Sequence, residues 1–167
     1  MKIITWNVQW FCGIDGLLDV TRVVDVARAM ADFDVICMQE VAVNYPLLEG
    51  GASQDQPALL QSLLPGFEIF FGAAVDEIAP DGHSRRRFGN LIATRLPVAQ
   101  VHHYTLPYPA GATSGGVRSM PRMCTSATVL TAFGYVRFMT THLEFYAPAM
   151  RLAQARELLR LHAQGCA

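Results

Sequence analysis

Four polar side chains interrupt apolar, strand-like runs. Asn7 follows Ile3-Ile4-Thr5-Trp6, Glu40 closes Val35-Ile36-Cys37-Met38-Gln39, Asn90 follows Phe88-Gly89, and His142 closes Val136-Arg137-Phe138-Met139-Thr140-Thr141. Each stands where a strand gives way to a loop, and ligands of α/β sheets gather outside the carboxyl ends of strands. A carboxylate beside amide oxygens is a hard-oxygen environment suited to Mg²⁺, which keeps several waters and binds through one or two carboxylates. Glu40 alone makes a weak site that calls for a substrate phosphate or a second carboxylate. Plainer readings compete for each residue taken singly. A glutamate after a strand is often only the first solvated residue, Asn7 can bond nearby backbone, and His142 can sit at the edge of a core. His102 and His103 have no acidic neighbours in sequence and read as core-edge histidines; Trp6 and Trp10 read as core.

The elements that must position these groups follow from hydrophobic patterning. Residues 2–9 are β-branched and apolar, a strand buried on both faces. Residues 20–31 place Val20, Val23, Val24, Ala27, Met30 and Ala31 on one stripe, an amphipathic helix with Asp19 as its N-cap. Residues 34–40 form a second, short apolar strand. This β-α-β unit predicts parallel strands joined by a right-handed crossover, so Asn7 and Glu40 stand side by side. Beyond it, 44–57 read as a loop, 57–64 as a short helix and 67–75 as a strand. Residues 87–96 and 97–106 read as strands around a tight turn at Leu96-Pro97. Residues 107–122 make a long loop of the kind kept for function, 123–130 and 135–145 a hairpin, and 149–163 a helix. The fold class is α/β, a mixed β-sheet with helices on one face. Yet strands such as VICM, FEIFF and NLIAT are apolar on both sides, whereas an antiparallel sheet that meets water alternates. Something must cover the second face.

Composition narrows the function. Of 167 residues, 51% are apolar and 16% charged, below the ~25% charged of an ordinary globular protein. That length and apolar content predict one folded domain and exclude a disordered chain. A net charge of −1 supplies no global field for nucleic acid or an anionic membrane, so any phosphate contact must be local. Cys12, Cys37, Cys124 and Cys166 lie far apart without zinc spacing. The N-terminus turns polar before any leader-like apolar region forms. No apolar stretch approaches the ~18 residues of a membrane span. A reduced, cytoplasmic setting is expected. Residues 9–16 (QWFCGIDG) lack a phosphate-cradling glycine pattern, which excludes a doubly wound nucleotide binder.

In order along the chain stand Thr5-Trp6-Asn7-Val8, Met38-Gln39-Glu40-Val41, Phe88-Gly89-Asn90 and Thr141-His142-Leu143-Glu144, with Arg151-x-x-Gln154 in the following helix. This series resembles the endonuclease/exonuclease/phosphatase superfamily, which includes deoxyribonuclease-I-like nucleases, abasic-site endonucleases, sphingomyelinases, inositol polyphosphate phosphatases and tyrosyl-DNA phosphodiesterases. The resemblance implies a metal-dependent phosphoester hydrolase using Mg²⁺ or Mn²⁺. It implies Glu40 as the metal ligand and Asn7 as support for the metal and a phosphate oxygen. Asn90 would bond active-site side chains, and His142 would contact the scissile phosphate or assist the leaving group. Attack on a phosphoester loads charge onto oxygens that a divalent cation and a donor histidine offset. Arg87, Arg118 and Arg122, in loops expected to shape the substrate side, are candidates to touch phosphate. The substrate could be nucleic acid, a phospholipid headgroup or a small phosphodiester, and Thr-His-Leu-Glu resembles the tyrosyl-DNA phosphodiesterase branch.

The superfamily fold is a four-layer α/β/β/α sandwich, and its later Gly-Asp-x-Asn and Ser-Asp-His motifs do not occur in residues 143–167. The expectation is therefore a single truncated domain over 1–167, one half of that sandwich, with little activity alone. Its inner sheet face would be bare and prone to self-association. The alternative is a non-catalytic interaction module assembling through that face.

Overall fold

Asp19 caps the first helix as its position predicts, its carboxylate accepting from the Arg22 N–H at 2.9 Å. The computed structural model describes residues 1–108, 113–114 and 117–164; the side chains of 113–114 and 117–118 lie outside that description. Strand β1 (Ile3–Asn7), helix α1 (Val20–Met30) and strand β2 (Val35–Tyr45) form the β-α-β unit, with β1 parallel to β2 and Asn7 opposite Gln39. Strand β3 (Ala52–Asp55) and helix α2 (Gln56–Leu63) follow, then β4 (Glu68–Ile78) and β5 (Arg85–Thr94). These strands make one mixed sheet in the order β1-β2-β5-β4, with β3 on β2. Helices α1 and α2 cover one face: Val20, Val24, Ala27, Leu60 and Leu64 pack on Ile4, Ile36, Met38, Leu91 and Ala93.

The other face is not bare. Strand β6 (Val98–Thr105) does not pair with β5 across the Leu96-Pro97 turn; it leaves for a second, three-stranded sheet with β9 (Met123–Thr131) and β10 (Gly134–Thr141), in the order β10-β9-β6. Between them the long loop carries two short paired strands, β7 (Thr113–Ser114) and β8 (Val117–Arg118). Val35, Cys37 and Ile92 of the first sheet bury against Ala127 of the second, with Phe70, Val101 and Phe138 around them. Helix α3 (Pro148–Gln164) lies on the outer side of the second sheet, where Leu158 and Leu161 meet Tyr104, Cys124 and Met139. The α/β class and mixed sheet hold. The strands divide between two stacked sheets, however, and helices flank both. The two-sided apolar strands are explained inside this chain, which removes the basis for self-association, or for an interaction module, through an uncovered inner face.

Other differences are local. β2 runs on to Tyr45 beyond Glu40, and β3 forms inside the expected loop because Val43 and Tyr45 offer it a pairing edge. Gly89 of β5 sits where both neighbouring strands carry an extra residue. The β2 register shifts between Gln39 and Val41, and the β4 register between Ala73 and Val75. A Cβ on Gly89 would collide with the Gly72 carbonyl and lie 2.9 Å from the Ala73 Cα, both backbone atoms that cannot yield. Gly72 in turn faces the second sheet, where a Cβ would strike Thr125 and stand 2.7 Å from His103 Nδ1. Gly89→Ala is therefore expected to destabilise the protein by about 2 kcal/mol or more in urea unfolding, as overpacking against backbone does. A change too small to measure would show that the bulged strands are free to separate.

Candidate functional site

Beyond Asn7 the backbone turns left-handed, with φ of 46°, 43° and 63° at Gln9, Trp10 and Phe11. Non-glycine residues avoid that region because Cβ crowds the carbonyl. The turn is held by Gln56, which is wholly buried. Its Nε2 donates to the Trp10 carbonyl at 2.9 Å and its Oε1 accepts from the Ala42 N–H at 2.7 Å. The consequence falls on Asn7. The Gln9 N–H donates to Asn7 Oδ1 at 3.0 Å, and that turns Asn7 Nδ2 toward Glu40 Oε1, to which it donates at 3.1 Å.

Glu40 is the extra residue of the β2 bulge, at φ 63°. Strict alternation would send its side chain to the helix side with Met38. The bulge instead lets Gln39 and Glu40 both face the second sheet, while Val41 resumes the helix side. Gln39 Nε2 donates to Thr140 Oγ1 on β10 at 2.8 Å. The Glu40 carboxylate, 15% exposed, lies with Oε1 3.2 Å from His142 Nδ1, just past the end of β10. One oxygen therefore gathers the tip of β1, the middle of β2 and the end of β10.

His142 Nδ1 has a second suitor: Arg122 NH1 stands 3.3 Å from it. Arginine only donates and a carboxylate only accepts. With a proton on Nδ1 the ring donates to Glu40; without one it accepts from Arg122. Burial disfavours the imidazolium, Glu40 favours it and Arg122 opposes it, and the outcome is a pKa below the ordinary 6.5. Arg122 is 8% exposed. Burial depresses its pKa as well, with the carboxylates of Glu144 and Glu40 offsetting part of that effect. Asn90, also buried, donates Nδ2 to the Met123 carbonyl at 2.9 Å. Asn90 Oδ1 and Arg122 Nε have no partner, and both residues line, with Glu40 and His142, a void of about 10 Å³, room for about one water.

The structure thus brings together Asn7, Glu40, Asn90, Arg122 and His142. It separates Arg87, which lies on the helix side over the Phe71 ring and pairs with Asp55, the N-cap of α2, at 3.7 Å. Arg87 belongs to the same strand face as Leu91, so alternation carries it away from the site; it is no phosphate contact there. Arg118 lies in β8, and its side chain falls outside the described residues. Asn7 presents its NH₂ to Glu40, while its oxygen accepts from the Gln9 N–H. The structure adds Ser119 and Glu144, the latter present in the Thr141-His142-Leu143-Glu144 motif but without a role assigned from sequence. Glu144 is 1% exposed, accepts from Ser119 Oγ and from the Tyr146 N–H, and stands 3.9 Å from Arg122 NH2. Burial pushes its carboxyl pKa up, but those donors and the Arg122 charge outweigh burial and hold it below the usual value. Its place in the Thr141-His142-Leu143-Glu144 motif is the hint the sequence offers.

Among the described residues, no three His, Cys, Asp or Glu side chains converge. A cation here would rest on the Glu40 carboxylate, with water or phosphate oxygens completing its shell. That donor set fits a hard ion such as Mg²⁺ and not a closed zinc site.

The profile described as Endonuclease/Exonuclease/phosphatase family matches residues 4–166. No curated protein sequence matches the chain. Among solved structures, it is similar to an endonuclease/exonuclease/phosphatase from Beutenbergia cavernae, with 28% identity over 95% of this chain and 42% of that one, at a TM-score of 0.69. It is similar in fold to TDP2 from D. rerio complexed with single strand DNA product, with 22% identity over 95% of this chain and 52% of that one, TM-score 0.63. The human Nocturnin catalytic domain with bound sulfate anion shares 16% identity over 98% of this chain and 58% of its own, TM-score 0.61. This chain therefore spans 42–58% of the length of those three. A match that runs over residues 4–166 makes the chain a member of the endonuclease/exonuclease/phosphatase family.

Proposed function

We propose that these residues form the metal- and phosphate-facing side of a Mg²⁺-dependent phosphodiesterase, with Mn²⁺ as a substitute. The single observation that carries this reading is the sharing of Glu40 Oε1 between Asn7 Nδ2 and His142 Nδ1. Glu40 would hold the ion, and Asn7 keeps its carboxylate turned into the cleft. A hard divalent ion, when bound, draws charge from phosphoryl oxygens. With Glu40 engaged by an ion, Arg122 would be the partner of His142 Nδ1, which leaves the ring proton on Nε2 to hydrogen-bond a phosphate or leaving-group oxygen. The cationic Arg122 and the orphaned Asn90 Oδ1 border the same void and orient what enters it.

Glu40 is the only carboxylate among the described residues that is open to this void, since Glu144 is sealed off. Among the described residues, no further carboxylate borders the void to activate water. A missing general base costs ~10²–10⁴ in rate, so low turnover is proposed for residues 1–167 alone, the Gly-Asp-x-Asn and Ser-Asp-His motifs being absent from them. The near-neutral chain favours recognition of the phosphoester itself, whether in a nucleic acid, a phospholipid headgroup or a small phosphodiester. A cytoplasmic location is proposed with this reading; the thiols of Cys37 and Cys124 are free and buried, and burial pushes the pKa of each up to about 11. No helix among the described residues is long and apolar enough to cross a membrane.

Mn²⁺ binding followed by water-proton relaxation is expected to weaken at least ~10-fold in Glu40→Gln, and Mg²⁺-dependent cleavage of an activated aryl phosphodiester to fall with it. Unchanged binding in that variant would remove the metal assignment. A second expectation concerns the metal-free protein. The folded pKa of His142 is lower than its unfolded value, so between the two the unfolded chain binds more protons. Stability is full above about 6.5, the unfolded value, declines as pH falls through it, and levels off below the folded pKa. Urea titrations between pH 7 and 5 should show a smaller loss in His142→Gln than in the wild type; equal slopes would mean that the ring is not held neutral.

A further inference from the structure

Behind His142 lies a buried carboxylate that the proposed chemistry does not use. Glu144 is fixed by its backbone and by its side chain at once. Its N–H donates to Gln154 Oε1 of α3 at 2.8 Å, and its carbonyl accepts from Arg151 NH1 at 2.9 Å. Gln154, itself wholly buried, reaches on from Nε2 to the Pro107 carbonyl at 3.0 Å. The carboxylate points the other way, to Ser119 Oγ and Arg122 NH2. The segment it meets is anchored from its far side: the Leu106 N–H donates to the Arg122 carbonyl at 2.9 Å, and Tyr108 OH donates to the Ser119 carbonyl at 2.7 Å.

Arg122 needs such a partner. Its guanidinium is almost entirely buried, its Nε is unpaired, and its other contact is an imidazole nitrogen. A buried charge without a counter-charge is strongly unfavourable, and removing one member of a buried pair leaves the other stranded. Glu144 is the nearest carboxylate that does not also face a cation-binding position. Glu40 cannot serve both purposes, because a metal ion would claim it.

We propose that Glu144 is a positioning residue: its carboxylate holds Arg122 against His142 Nδ1 and ties Ser119 to the same corner, so that Glu40 stays available for the ion. The proposal rests on the reading of Glu40 and His142 as a phosphoester site. It assigns Glu144 no contact with substrate. Ser119 supports it as a second donor, and α3 supplies the fixed point through Gln154 and Arg151.

The test follows Arg122 and His142 by NMR on the 167-residue chain. In the wild type the Arg122 Nε–H should exchange with solvent at least ~10-fold more slowly than that of the exposed Arg160; equal rates would overturn the proposal without any variant. Glu144→Gln should speed Arg122 exchange by ~10-fold and shift the His142 ring nitrogens. Glu144→Asp, which keeps the charge, should retain part of the protection. Glu157→Gln, which breaks the exposed Arg160 pair, should change neither. A Glu144→Gln protein that melts earlier yet keeps slow Arg122 exchange and unshifted His142 nitrogens would make the role merely structural and overturn the proposal. Inorganic phosphate, titrated in the presence of Mg²⁺, should bind at least ~10-fold more weakly to Glu144→Gln. If the wild type binds neither Mg²⁺ nor phosphate, the phosphoester reading fails, while the exchange rates still decide whether Glu144 positions Arg122.

Discussion

The site depends on one residue too many in one strand. Inserting Glu40 between Gln39 and Val41 breaks the alternation of β2 and turns a side chain destined for the helix side toward the second sheet. The backbone there adopts φ 63°, which costs a non-glycine residue about 1–2 kcal/mol. The surrounding structure over-determines it. Gln39 is tied to Thr140 across the sheets, Asn7 grips the carboxylate, and Gly89 provides, on the neighbouring strand, the only side-chain size that two adjacent bulges leave room for. Strain of this kind persists where function gives a reason for it.

The second sheet is as necessary as the bulge. β1 and β2 alone would leave Glu40 with only an amide for company. The stacked β9–β10 hairpin brings His142 and Arg122 from the far end of the chain, and close approach of the sheets depends on the missing side chain at Gly72. Packing and site are thus one construction. Val35, Cys37, Ile92 and Ala127 hold the sheets together at one end, and the polar pair Gln39–Thr140 marks the passage from dry core to polar cleft.

Much of this was legible in the residues. The β-α-β pattern put Asn7 beside Glu40, and a polar residue closing an apolar run marked His142; Asn90 stood out by its polarity, although it lies in the middle of β5 rather than at a strand end. What stayed hidden has a common physical cause: it depends on contacts between segments remote in sequence. A bulge leaves no periodic trace, since Val35-Ile36-Cys37-Met38 before it and Val41-Ala42-Val43 after it are apolar without alternation. The division of β5 and β6 between two sheets turns on Pro97 and on which strand each later meets. Arg87 looked like a free cation, but only the alternation of β5, counted from Leu91, shows that it lies on the helix side beside Asp55. Glu144 looked like any acid after a strand; its burial comes from Ser119, Arg122 and the Gln154 amide, none of them its neighbours in the chain.

Under the proposed reading, the charges in the cleft would let a nearly neutral protein face phosphate. Glu40 and Glu144 are two carboxylates, Arg122 is one guanidinium, and His142 is held toward neutrality by burial. Two negative charges against one positive leave the cluster one charge negative, a setting that repels a phosphoester and favours a cation. Occupancy of Glu40 by a divalent ion would reverse that sign and free His142 Nδ1 for Arg122, both changes favouring a phosphate oxygen over water. On the proposed reading, electrostatics would favour the anion after the carboxylate at the bulge had been neutralised, while the buried Arg122–Glu144 pair would keep its own charges balanced.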